Sequence, residues 1–184
     1  MRIPTSIFAR TVLSGACAIA ALALLPGCGV DRGERNVEEG QKLYLGDLEY
    51  SIQISRFLNP ADVEDAAYLE GQRPPANSED YFAVFVQIKN VGEEAQRLPA
   101  GIVVRDSREG TYYPLESDSV FALKSGTVIP GNSEIPVPDS PAATGPIQGQ
   151  MLLYRVDYGI SQKRPVELVI PAQSGEDAHV KLDL

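Results

Sequence analysis

Tyr81-Phe82-Ala83-Val84-Phe85-Val86-Gln87-Ile88-Lys89-Asn90 alternates along almost its whole length. Successive strand side chains point to opposite faces, so Phe82, Val84, Val86 and Ile88 share one side and Tyr81, Ala83 and Phe85 the other. A period of two, carried by β-branched and aromatic residues, is the strand signature. Apolar residues on both sides for half the length place this strand at the centre of the fold or beneath a covering loop. Asn90-Val91-Gly92-Glu93 then turns the chain.

The same period recurs on either side. In Leu48-Glu49-Tyr50-Ser51-Ile52-Gln53-Ile54-Ser55 the even positions are apolar and the odd ones polar. Residues 101–105 and 111–115 read as short strands joined by Asp106-Ser107-Arg108-Glu109-Gly110, a hairpin loop with Gly near its end. Residues 150–157, 166–170 and 179–184 complete the strands, the last with Val180, Leu182 and Leu184 inward and His179, Lys181 and Asp183 outward. Prolines at 130, 136, 138, 141 and 146 exclude an interior strand or a helix there and predict an extended edge or crossing segment. Residues 59–70 read as a short helix, capped by Asn59 or Asp62 and carrying Val63, Ala66, Ala67 and Leu69. They open an insertion, 59–80, of net charge −5. About seven or eight strands with turn signals roughly every ten residues predict an all-β antiparallel sandwich with one short helix or loop insertion, a small barrel being the alternative.

The chain has 184 residues, 16 Lys+Arg, 25 Asp+Glu and one His, for a formal net charge of −9. That length suits one domain with a real core and is short for two. At 43% hydrophobic and 22% charged, the composition is that of a folded protein. The acidic balance argues against nucleic acid as a partner, since Lys and Arg supply that affinity.

At the N-terminus, Arg2 and Arg10 are the only charges in residues 1–27, and an apolar run from Thr11 to Leu25 ends at Leu25-Pro26-Gly27-Cys28. A positive start, a short apolar stretch and small residues at its end define a secretory signal peptide, shorter than the roughly 20 residues of a spanning helix. Leu25-Pro26-Gly27-Cys28 looks like a bacterial lipobox, with Pro26 where Ala or Ser is usual. The resemblance implies that Cys28 carries a diacylglycerol and becomes the first residue of the mature chain. Cys17 is the weaker candidate, since cutting there leaves a greasy tail. After cleavage Cys28 is the only Cys, so no disulfide is expected, and 14 basic against 25 acidic side chains remain, net −11. Several acyl chains on one residue make a stable anchor, whereas an acidic body is repelled by anionic headgroups. The expected organisation is a signal peptide over 1–27, lipidated Cys28 and a flexible tether to 42, and a sandwich over 43–184. The chain would be exported and held at the outer face of the bacterial cell membrane.

From about residue 45 to 184 the chain resembles the immunoglobulin-like domains of unknown function in secreted proteins and lipoproteins of Gram-positive bacteria, especially actinobacteria. The residues that carry this are the strand and turn from Tyr81 to Gly92, and the hairpin Ile102-Val103-Val104-Arg105-Asp106 with Gly110-Thr111-Tyr112-Tyr113. The closing pair 149–156 and 164–170 completes it. The resemblance implies an immunoglobulin-like β-sandwich exported by bacteria, and no activity.

Chemistry is sparse. The single His179 sits on the outward side of a terminal strand, and no Gly-x-Ser-x-Gly raises Ser125, Ser133 or Ser140 above loop residues. Lys124-Ser125 would point to opposite sides of an extended chain. Glu64-Asp65 and Glu93-Glu94 are adjacent acids with nothing to set a catalytic separation. The chain has no Trp for sugar stacking, although Tyr81, Tyr112 and Tyr113 could substitute. One Cys, one His and one Met in the mature chain give no soft-metal set, and no phosphate loop or dinucleotide fingerprint appears, so no cofactor is expected. Asp62, Glu64 and Asp65 offer oxygens for weak calcium association, without EF-hand spacing. The expected function is a non-enzymatic binding module for an envelope protein or polymer. Its candidate site is the 59–80 insertion (Asp62, Glu64, Asp65, Tyr68) with the 130–146 segment, because long loops on a rigid scaffold carry binding groups. On that reading residues 61–75 are dispensable for folding; the contrary reading has them packed over Phe85. The alternatives are a carboxylate-dependent hydrolase of wall polymers and a lipoprotein protease inhibitor presenting Ile135-Pro136-Val137-Pro138.

Overall fold

The structure is a computed structural model that describes residues 33–184. The chain divides into two units, Met1–Val30 and Asp31–Leu184. The signal segment, Cys17 and the lipidation residue Cys28 lie outside the described residues. In chain order the strands are β1 (Asn36–Glu38), β2 (Lys42–Leu45), β3 (Leu48–Leu58), β4 (Glu79–Asn90), β5 (Gln96–Arg97) and β6 (Val103–Arg105). They continue with β7 (Thr111–Tyr112), β8 (Val128–Ile129), β9 (Glu134–Ile135), β10 (Gln150–Asp157), β11 (Glu167–Ile170) and β12 (Ala178–Lys181).

One sheet runs β1-β12-β11-β6-β7; the other runs β10-β4-β3-β2, with β9 also paired to β4, and β5-β8 form a separate ribbon. This is the expected antiparallel β-sandwich, with one parallel exception. β1 pairs with β12 in the register Asn36↔His179 to Glu38↔Lys181. Residues 36–38 were expected in a polar tether and instead belong to the sheet. Val37 is the reason: it is buried in the main core while its neighbours stay exposed.

Strand β4 is buried on both sides, as its sequence predicts. Phe82, Val84, Val86 and Ile88 enter the core between the sheets with Tyr50, Ile52, Val104, Leu168 and Val180. Tyr81, Ala83 and Phe85 enter a second core on the outer face with Leu58, Tyr68, Leu69, Met151 and Leu153. Each fully buried large apolar side chain contributes about 1.5–3 kcal/mol, so neither face of β4 can be left to water.

The even-inward pattern of β3 fails after Ile52. A bulge separates the pairs Ile52↔Val86 and Ile54↔Phe85. One extra residue reverses which side every later side chain faces. Ile54, predicted inward, is therefore 39% exposed, while Leu58 joins the outer core. Arg56 shares that outer face, where it meets the insertion.

The insertion is not an α-helix. Its backbone makes a chain of tight turns, with N–H of Asp62, Asp65, Ala66 and Tyr68 donating to the carbonyls of Asn59, Asp62, Val63 and Asp65. Asn59 and Asp62, the expected caps, close Asx turns instead: their side-chain oxygens accept from the N–H of Ala61 (3.0 Å) and Glu64 (2.9 Å). The segment folds onto β4, with Tyr68 edge-on to Phe85 (centroids 5.2 Å) and tilted against Phe121 (4.7 Å).

The Pro-rich segment contains an edge strand, as expected, and a helix that was not. β9 pairs with Ile88 and Lys89 of β4, extending the edge where β10 ends. One helical turn, α1 (Pro141–Thr144), begins on a proline, where the missing N–H has no helical partner to lose. The peptide bonds Ile135-Pro136 and Arg164-Pro165 are cis.

Because Tyr68 fills the outer core, Tyr68→Ala should cost about 3 kcal/mol and lower Tm by on the order of 10 °C. Deleting residues 61–75 should lower it further. Calorimetry that finds Tm unchanged for both would show the insertion to be dispensable packing.

Candidate functional site

The residues singled out in the insertion divide into two kinds. Asp62 and Glu64 are exposed. Asp65 is 1% exposed at its side chain, and Nη2 of Arg56 donates to its two carboxylate oxygens at 2.8 and 3.0 Å. The N–H of Asn59 adds a third bond at 2.8 Å. Tyr68 is buried under the turns. Asp65 and Tyr68 thus face inward, holding the insertion on the sheet, and cannot offer themselves to a partner. Asp65 is likewise unavailable to join Asp62 and Glu64 around calcium. Among the described residues no group of three or more Asp, Glu, His or Cys side chains is placed to hold a metal ion.

The other residues considered for chemistry are also placed structurally. His179 Nδ1 lies 2.9 Å from the Glu167 carboxylate across the β11–β12 pair. Ile135 is tied into the sheet by pairing with Ile88, while Val137 stays 60% exposed, so the stretch expected of an inhibitor is only half free.

The densest titratable cluster lies elsewhere. Asp106, with its side chain fully buried, accepts from N–H of Arg108 and Gly110 (both 2.9 Å) and from the Tyr112 hydroxyl (3.0 Å). Lys163 Nζ sits 3.2 Å from Asp106 and 2.8 Å from Asp157. A Cβ on Gly110 would stand 2.5 Å from Asp106 Oδ2, so only glycine fits this turn. Burial alone would push the Asp106 carboxyl up, but its four donors outweigh burial and hold it below its ordinary value. Burial and both carboxylates push the Tyr112 hydroxyl up to about 12. Tyr112 and Lys163 bridge buried Asp106 to Asp157, so the cluster fastens the β6–β7 hairpin to the end of β10. The sequence shows the Asp, Gly and Tyr of the hairpin; Asp157 and Lys163 arrive only through the fold.

An open surface lies on the outer face of β2, β3 and β4, where a cleft of about 430 Å³ is walled by Pro136, Pro138 and Ala143. Register builds its floor. Lys42, Ser51 and Gln87 align across three strands, as do Glu49, Lys89 and Glu134, with Tyr44 beside Glu49 outside the cleft lining. Directly opposed side chains on one face interact, so the second row is an alternating ladder of charge. The Tyr44 hydroxyl donates to Glu49 at 2.6 Å, and Lys42 pairs with Glu49 at 2.7 Å. Burial would raise Glu49, but these two hydrogen bonds and the charges of Lys42 and Lys89 hold it below the ordinary carboxylate value. The Glu49 hydrogen bond and charge raise Lys42 in turn. A glycosidase acid needs a carboxyl held up, the opposite of Glu49. The 130–146 half of the expected site does line this cleft. The strand positions were missed because their polar alternation says nothing of which residue lies opposite which.

This arrangement belongs to a β-sandwich. No protein-family model and no curated protein matches the chain. Among solved structures, the yjhA protein of Bacillus subtilis aligns over 80% of this chain and 99% of its own, at 15% identity and a TM-score of 0.53. An uncharacterized β-sandwich protein of Clostridium difficile 630 aligns over 84% and 98%, at 14% identity and a TM-score of 0.50. At these identities the likeness is one of fold.

The Asp106 cluster makes part of the stability depend on pH. A carboxyl held below its unfolded value, near 3.8, contributes stability that is present above that pH and lost as pH falls through its folded value. Asp106→Asn should therefore lower Tm at neutral pH, and its deficit should shrink below about pH 3.8. A deficit constant with pH in thermal melts would mean that ionisation of Asp106 does not matter.

Proposed function

We propose that this chain is a lipid-anchored extracytoplasmic module that binds an envelope protein or polymer along the cleft on the β2–β3–β4 face, without performing chemistry. The single observation that carries this is the charge ladder Glu49–Lys89–Glu134, mounted on paired strands beside a Pro-rich wall. Strands hold side chains more precisely than loops do, and mixed charge in an open groove suits an extended polar partner better than an apolar one. The lipobox-like Leu25-Pro26-Gly27-Cys28 supports the anchor. Acyl chains on Cys28 would hold the acidic body at a surface that its own charge does not favour. The resemblance of the Tyr81–Gly92 strand and turn to immunoglobulin-like domains of secreted Gram-positive proteins supports the same address.

Crosslinking on intact host cells, with affinity recovery and mass spectrometry, tests the reading. Wild type should recover a reproducible partner from the membrane fraction. Lys89→Ala and the blocking variant Gln87→Arg should lose it at unchanged Tm, and Cys28→Ala should leave the membrane fraction. Recovery by both cleft variants at the wild-type level would remove the cleft from the function. Retention of Cys28→Ala in the membrane would remove the anchor.

A further inference from the structure

A second cleft, of about 360 Å³, opens at one end of the sandwich. It is formed where the β2–β3 turn, β5, the β11–β12 loop and the residues before β1 converge. Its polar lining is Arg35, Asp47, Tyr50, Gln96, Gln173 and Ser174. Tyr50 is the unusual member. It is 1% exposed, its ring belongs to the main core, and its buried hydroxyl has no hydrogen-bond partner among the described residues. An unpaired buried hydroxyl costs about 1–3 kcal/mol, and such groups are rare unless something absent from the bare chain satisfies them. Burial raises the Tyr50 ionisation far above its ordinary value, so it stays a neutral O–H able to donate.

The charges around it give the chemistry of what fits. Arg35 is half-buried, and Nη1 donates to the Tyr44 carbonyl at 2.6 Å, which fixes the guanidinium and leaves other N–H groups free to donate. No carboxylate among the described residues pairs with it. Asp47 is exposed on the same cleft, with only a long contact of 3.5 Å from Gln96 Nε2. Among the described residues, one cleft therefore presents a cation and an anion without ion-pair partners, and the orphan Tyr50 hydroxyl is sealed just behind its lining. We propose that it binds a small zwitterion of the amino-acid class. Its carboxylate would take the Arg35 guanidinium and, by displacing the lining that seals it, the Tyr50 hydroxyl, and its ammonium would take the Asp47 carboxylate. The volume lies at the small end of the range for ligand pockets, which suits an amino acid or dipeptide better than a polymer. The site is separate from the sheet-face cleft and does not depend on the function proposed for it.

Titration calorimetry and thermal melts on the full chain in detergent test this, with the twenty amino acids, alanyl-alanine, acetate and methylamine as probes. At least one zwitterion should bind and raise Tm, more than acetate or methylamine at equal concentration. Tyr50→Phe should weaken that binding by about tenfold or more, the loss of one charge-assisted hydrogen bond. Its unliganded Tm should be unchanged or higher, because the substitution removes only an unsatisfied group. Arg35→Gln should abolish binding. No shift with any zwitterion, equal shifts with acetate, or full binding by Tyr50→Phe would each overturn the proposal. The last two would leave, respectively, a plain carboxylate site and a hydroxyl satisfied by water.

Discussion

Strand β4 is apolar on both faces, and that requires a three-layer arrangement. A sheet that covered only one side of it would leave Tyr81 and Phe85, each no more than 1% exposed, in water. The second sheet covers the first side and the chain's two long connections cover the other. The bulge in β3 follows from the same need. By reversing the side on which Arg56 and Leu58 emerge, it supplies the outer face with an apolar contact and with the cation that receives Asp65.

Three of the acidic side chains fasten segments to the sandwich. Asp65 holds the insertion to Arg56, Asp106 holds the β6–β7 hairpin to Lys163, and Glu39 accepts from the N–H of Ser55 (2.9 Å) and of Asp183 (3.1 Å). In each case a carboxylate satisfies backbone N–H groups, and such charge-assisted bonds are the stronger kind. The 59–80 insertion, attractive as a binding element in the sequence, spends Asp65 and Tyr68 on the fold. What remains for recognition is the sheet face that the 130–146 segment walls, and the open end of the sandwich.

Alternation is a local property, so the amino-acid sequence by itself determined an all-β antiparallel fold, a sandwich ahead of a small barrel, and a strand over 81–90 covered on both faces. It also marked residues 150–157 as a strand, bounds that the structure reproduces. Only the tertiary structure decided the bulge after Ile52, the parallel pairing of β1, the turn of helix at Pro141 and the registers that set Glu49 opposite Lys89. Each depends on a partner strand or a packed neighbour distant in sequence, and a slip of one residue would have inverted the faces without altering the pattern of polar and apolar residues. The Tyr50 cleft is of the same kind. A tyrosine at an inward strand position is legible as core, but whether its hydroxyl finds a partner depends on which four segments meet above it.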